Sequence, residues 1–89
     1  MDRTKVDSSN IDSIGFQAGP PAILEIAFKG GGVYQYTSDD DAVVREHHAE
    51  IMKAESKGRH FTAHVRHDKR LKTQRVDRID PNAPQPANA

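Results

Sequence analysis

Two stretches of alternating apolar residues flank a run of three glycines, and this arrangement restricts the fold more than any other feature of the chain. In residues 23–28 large apolar side chains occupy every second position, as expected of a half-buried strand. Residues 33–37 are rich in β-branched and aromatic side chains, which favour a second strand. Because glycine readily adopts positive φ, residues 30–32 predict a tight turn between them. The three segments together predict a β-hairpin.

An earlier segment extends the sheet. Residues 13–17 also alternate, with Ile14 and Phe16 on one face. Pro20 and Pro21 follow, and proline keeps this connection extended because it cannot continue a helix. The simplest arrangement is an antiparallel meander of three strands.

The hydrophobic period then changes to that of a helix. One face of this helix collects four residues, Val44, His48, Ile51 and Met52. Ser38, with Asp41 three residues later, predicts the N-cap, and the acidic run there suits the positive end of the helix dipole. We expect the helix to end near Glu55, with Gly58 in the left-handed conformation just beyond it.

The last part of the chain is less regular. Phe61 and Val65, spaced i and i+4, predict one or two further helical turns on the same core. Residues 71–79 fit neither period, so a short added strand and an extended basic arm both remain open.

These patterns predict an α+β fold, in which an antiparallel β-meander of three to four strands packs against one main α-helix plus a short helical segment. The domain spans residues 6–79. We expect residues 1–5 to be frayed. Residues 80–89, with three prolines and no large apolar side chain, form a disordered tail because they bury too little surface to offset their ordering entropy.

Charge is distributed unevenly along a chain whose formal net charge is zero. Residues 1–56 carry five Lys or Arg against ten Asp or Glu, a net of −5, whereas residues 57–89 carry eight against three, a net of +5. Such asymmetry between halves is a hint of polyanion binding. The simpler alternative is that the basic side chains only pair with the acidic half or lie solvated at the protein surface.

The histidines offer a second possible chemistry. His60, His64 and His67 would follow one face of a helix, and two His at i and i+4 can bind Zn²⁺ or another transition metal. The simpler interpretation is that they extend the basic surface and become cationic below about pH 6.5. We therefore predict no metal and no cofactor.

Several classes of protein are disfavoured. The chain contains no cysteine, which excludes disulfides and thiolate zinc sites. No apolar run approaches the ~20 residues that span a bilayer, and the first residues contain no apolar signal segment, so we predict a soluble, cytoplasmic protein with no membrane partner. Because no Ser, His and Asp spacing fixes a catalytic triad and the small core leaves little room for a deep pocket, we expect no enzymatic activity.

An ordered set of motifs resembles the KTSC domain, a small family named for its occurrence at the C-terminus of some lysyl-tRNA synthetases and also found as stand-alone proteins. The resemblance covers roughly residues 6–67 and rests on segments 8–11, 14–16, 24–28, 31–36 and 54–61, with Val65 and Arg66. It implies an α+β domain and, by association only, a link to RNA or translation.

We therefore expect a non-enzymatic module that binds RNA or single-stranded DNA through its basic C-terminal half. The alternative is a protein-interaction adaptor that uses its oppositely charged faces. We expect the Lys and Arg side chains to contact phosphates, and the glycine to let the backbone approach a phosphate closely. The tyrosine rings would stack on bases. The predicted site comprises Lys57, Gly58, Arg59, Arg66, Lys69, Arg70, Tyr34 and Tyr36.

Overall fold

Within the described part of the chain, five antiparallel strands form one sheet in which every strand lies beside its neighbour in sequence. The computed structural model describes residues 2–76 of the chain. The sheet has one strand more than the upper limit predicted from the sequence, although the α+β class is confirmed. The elements are β1 (Thr4–Lys5), β2 (Ile11–Gln17), β3 (Ala22–Phe28), β4 (Val33–Ser38), α1 (Asp41–Lys53), α2 (Lys57–His60), a π-helical segment (Phe61–Val65) and β5 (Lys72–Arg75).

The glycine run forms the turn between β3 and β4, as predicted. The N–H of Phe28 donates to Gly32 O at 2.8 Å, and the N–H of Gly31 donates to Phe28 O at 3.0 Å. Gly31 has a φ of 106°, a conformation that a side chain would strain. This turn sets a register in which Ile26 lies opposite Tyr34.

Helix α1 packs against β3 and β4 and buries its apolar residues against one face of the sheet. His48, expected on the apolar face of the helix, lies half-buried at the edge of this core, with its ring stacked on Phe16 at 5.1 Å between centroids. The buried histidine of α1 is its neighbour His47, which the apolar period did not indicate. The largest fully buried side chains of the core are Ile11, Ile14, Leu24, Ile26, Val44, Ile51 and Val65.

The start of α1 differs from the prediction by two residues. Asp40 is the N-cap, and its carboxylate accepts from the N–H of Ala42 at 3.1 Å. Ser38, the predicted cap, instead accepts from the N–H of Asp40 in the preceding turn. A carboxylate at this position also interacts favourably with the helix dipole, which a serine hydroxyl does less well. The helix ends at Lys53, close to the predicted Glu55.

Two short helical elements follow α1, which confirms the predicted further turns. Phe61 and Val65 are 6% and 1% exposed and belong to the core. The N–H of Arg66 donates to Phe61 O at 2.9 Å, five residues earlier, which gives the segment its π-helical character. Gly58 lies inside α2 and has no positive φ, so its predicted left-handed conformation is wrong.

Both edge strands of the sheet come from parts of the chain for which the sequence pattern predicted no definite secondary structure. Thr4 and Lys5, assigned to a frayed terminus, pair with β2. Residues 72–75 form the added strand that was one of two alternatives, and they pair with β4. Residues 77–89, which include the predicted disordered tail, lie outside the described residues.

Candidate functional site

Two adjoining depressions form a continuous groove along the helical segments, because Asn10 and Thr62 line both of them. The first, of about 440 Å³, is lined in addition by Phe28, Tyr34, Tyr36, Phe61, Arg66 and Thr73. The second, of about 660 Å³, is lined in addition by Ser9, Ser56, Gly58, Arg59 and Ala63. Five of the predicted site residues thus lie along one groove, together with polar side chains from both halves of the chain.

The centre of the groove depends on close packing between Asn10 and Gly58. A Cβ added at Gly58 would overlap the side-chain oxygen of Asn10. Asn10 also accepts from the hydroxyl of Ser8 at 3.3 Å. The sequence interpretation gave Gly58 the role of approaching a phosphate, but in the structure its backbone is approached by Asn10. The missing side chain therefore makes room for an amide in the groove.

The two tyrosines differ in what they offer to a ligand. Tyr36 is 5% exposed and packs edge-on against Phe61 at 5.4 Å, so its ring forms part of the core beneath the groove. This burial raises the pKa of Tyr36 to about 12. Tyr34 is half-buried, meets Phe28 edge-on at 5.9 Å and lies under the Arg75 guanidinium at 5.6 Å. Tyr34 is thus the more accessible of the two predicted stacking rings.

The predicted cations fall into two groups. Arg59 and Arg66 are exposed in the groove, and their guanidinium groups have no hydrogen-bond or ion-pair partner among residues 2–76. Lys69 and Arg70 lie on the connection to β5 and do not line the groove. Arg70 forms an ion pair with Asp68, with Nη2 2.6 Å from Oδ2. Of these four cations, the two in the groove are therefore best placed to meet an anionic ligand there.

Lys57 is occupied by the end of α1. Its Nζ donates to Met52 O at 3.2 Å and to Ala54 O at 2.9 Å. These carbonyls lie at the helix C-terminus, where backbone acceptors lack intrahelical donors and a positive charge is favourable. Lys57 is therefore a capping residue in the structure.

We expect Lys57→Met to lower the free energy of unfolding by about 1–2 kcal/mol, because both carbonyls lose a charged donor. Lys53→Met is the matched control, since Lys53 is exposed in the last turn of α1 and, among residues 2–76, pairs with Glu50 alone at the surface. Surface pairs of that kind contribute about 0–1 kcal/mol. Urea denaturation of both variants measures the difference, and equal losses would contradict the capping role.

The histidines do not form the continuous row expected from a regular helix. His60 and His64 lie together, with ring centroids 4.7 Å apart. His67 follows the end of the π-helical segment, is exposed and does not line the cavity that the other two share. Within residues 2–76, no group of three or more His, Asp or Glu side chains is arranged to hold a metal ion.

Comparison with known proteins gives the family. The sequence profile of the KTSC domain matches residues 7–68, well over half of the chain. The chain belongs to the KTSC domain family. It is also similar to the crystal structure of a KTSC domain protein from Yersinia pestis, with 33% identity, a TM-score of 0.72, and coverage of 84% of this chain and 96% of that one. No match was found among the curated proteins.

The motifs that suggested the KTSC family converge in space. Asn10 from the first motif, Tyr34 from the β4 motif and Gly58 from the α2 motif all line the groove. Sequence reasoning missed the roles of Asn10 and Thr62, which are polar residues with no distinctive spacing. Asn10 lies inside segment 8–11, one of the motifs that resemble the KTSC domain, and this position was the one feature of the sequence that could have pointed to it.

Among the described residues, no helix is long and apolar enough to cross a membrane.

Proposed function

We propose that this KTSC domain is a non-enzymatic module that binds single-stranded nucleic acid, RNA or DNA, in the groove. The observation that supports this best is the pair of exposed guanidinium groups of Arg59 and Arg66, one in each half of the groove. The planar guanidinium group of arginine matches the geometry of a phosphate. Its binding to a phosphate releases counterions from the nucleic acid. Two such groups along one groove suit a ligand with repeated negative charges.

The polar and aromatic lining suits the other parts of a nucleotide. Asn10 presents an amide with both donor and acceptor, and Thr62 and Thr73 add hydroxyl groups. Tyr34 gives a partly accessible ring at one end, and aromatic rings hold unpaired bases by stacking. In this proposal Lys69 and Arg70 contribute long-range attraction from the adjacent connection, and Lys57 and Tyr36 support the groove.

Charge reversal in the groove tests the proposal. We expect Arg59→Glu and Arg66→Glu each to weaken binding of a short RNA or single-stranded DNA oligonucleotide about tenfold at low salt. Each substitution should also reduce the slope of log affinity against log salt by about 1, because one phosphate contact is lost. Fluorescence anisotropy at several salt concentrations measures both quantities for each oligonucleotide.

The control is Lys53→Glu, which makes the same kind of charge reversal at an exposed position on α1 outside the groove. It should leave the salt slope unchanged. Amide shifts on titration should cluster at Asn10, Tyr34 and residues 58–66. Absence of shifts at low salt would remove the nucleic-acid proposal and favour the alternative, a protein partner.

A cytoplasmic location stays a prediction.

A further inference from the structure

A separate cavity of about 360 Å³ lies between α1 and the later helical segments, and it shares no lining residue with the groove. Its walls combine imidazoles and carboxylates from four parts of the chain. Helix α1 supplies Glu46, His47 and Glu50, α2 supplies His60, the π-helical segment supplies His64, and the connection to β5 supplies Asp68 and Arg70. Such a concentration of ligating side chains in so small a domain needs a chemical explanation.

His60 has an unusual ring nitrogen. Its Nε2 is buried and has no hydrogen-bond partner within the described part of the chain. A buried polar atom without a partner is destabilising, and such atoms in native proteins often mark a functional role or a bound ion or water. Neither the fold nor the groove accounts for this atom.

The ring of His64 lies close to that of His60. The centroids of His60 and His64 are 4.7 Å apart, and the rings are tilted by 43°. With a metal–nitrogen distance of about 2.1 Å, two imidazoles that bind one ion at an angle of about 90–110° have centroids about 4.6–5.3 Å apart. The observed separation falls in this range. Because His64 is exposed, its ring can turn to admit an ion.

The charges around the pair also suit a cation. Burial, followed by the nearby His64 and His47, lowers the pKa of His60 below its usual value of 6.5, which favours the neutral imidazole. Neutral imidazole is the form that binds metals. Glu46 and Glu50 line the same cavity and supply negative charge. Asp68 is already engaged by Arg70 and His47.

We propose that His60 and His64 form a binding site for a divalent transition-metal ion of the Zn²⁺ type, with Glu46 and Glu50 as nearby carboxylates. The protein supplies two direct ligands and water completes the coordination, since no three ligating groups of residues 2–76 are arranged to chelate an ion by themselves. Imidazole ligands select Zn²⁺, Cu²⁺ or Ni²⁺ over Mg²⁺, which prefers oxygen.

The test is a titration of the untagged, ¹⁵N-labelled full chain with zinc chloride, observed through the imidazole nitrogen signals. The ring signals of His60 and His64 should shift or broaden, while those of His48 and His67 should stay in place. His64→Ala should weaken binding about tenfold or more by calorimetry, because one of two direct ligands is lost. His67→Ala is the matched control and should bind Zn²⁺ like the wild type.

A second measurement separates ligand loss from misfolding. Zn²⁺ that binds the folded state raises the unfolding temperature, so the wild type and His67→Ala should be stabilised by zinc while His64→Ala should not. Unmoved ring signals for His60 and His64 would overturn the proposal. So would equal zinc affinity in His64→Ala, or the same ring shifts with magnesium chloride, which would point to the carboxylates instead.

Discussion

Phe61→Ala is expected to lower the free energy of unfolding by about 3–5 kcal/mol, the usual cost of removing a buried phenylalanine ring. The Phe61 ring lies edge-on to Phe28 at 5.2 Å and to Tyr36 at 5.4 Å, and only 6% of the residue is exposed. It therefore joins the helical segments to the sheet. Domains of this size are marginally stable, with about 5–15 kcal/mol in total, so this loss removes a large share of the stability and should move the urea midpoint to a clearly lower concentration.

Phe61→Leu is the matched variant because it keeps an apolar side chain and most of the volume. Its loss should be clearly smaller than that of Phe61→Ala, since the cavity left behind is smaller. Urea denaturation followed by circular dichroism compares the two with the wild type. A loss below about 1 kcal/mol for Phe61→Ala would mean that the helical segments contribute little to the core.

Asp68→Asn is expected to lower the free energy of unfolding by about 2–3 kcal/mol at pH 7, because the hydrogen bonds from His47 and Arg70 lose the negative charge of their acceptor and one of its two oxygens. Oδ2 of Asp68 lies 2.6 Å from His47 Nε2 and 2.6 Å from Arg70 Nη2. The Asp68 side chain is only 10% exposed, so water cannot replace these contacts well. The pair connects α1 to the chain that leads into β5.

The pH dependence of this loss gives a second check. The Arg70 guanidinium, with help from His47, holds the pKa of Asp68 well below its usual value of 3.8. A depressed pKa adds stability that is fully present above the unfolded-state value and is lost as the pH falls through the folded-state value. The difference between wild type and Asp68→Asn should therefore be largest above about pH 4 and narrow below it.

Asp39→Asn is the control for this series, since Asp39 is exposed and makes no hydrogen bond or ion pair with the described residues. Its unfolding free energy should follow that of the wild type across the same pH range. A difference for Asp68→Asn that stays constant down to about pH 2 would show that the carboxylate charge is not the source of the stability.

Helical periodicity could not predict which of the adjacent residues His47 and His48 is buried. Both lie on the predicted helix, and the apolar period favoured His48 as the inward residue. The partner that decides the matter is Asp68, 21 residues from His47, and its position depends on how the chain returns after the π-helical segment. Helical periodicity cannot specify a partner so far along the chain.

The sequence predicted that the site would be basic, but it could not show which of the basic residues line the groove. Arg59 and Arg66 were named from charge alone, and both lie there. Lys57 was named on the same grounds, yet its ammonium binds the C-terminal carbonyls of α1. A count of charges gives no information on whether a lysine faces a helix end or a ligand, because that depends on the local path of the backbone.

By itself, the sequence determined the features that arise from interactions between residues close along the chain. The hairpin at Gly31, the main helix and the α+β class follow from local hydrogen bonding and from burial repeated every two or 3.6 residues. Only the tertiary structure decided which distant residues meet, such as Asn10 with Gly58, and His47 with Asp68. Those contacts depend on the relative placement of sheet and helices, which is fixed by packing of the whole core.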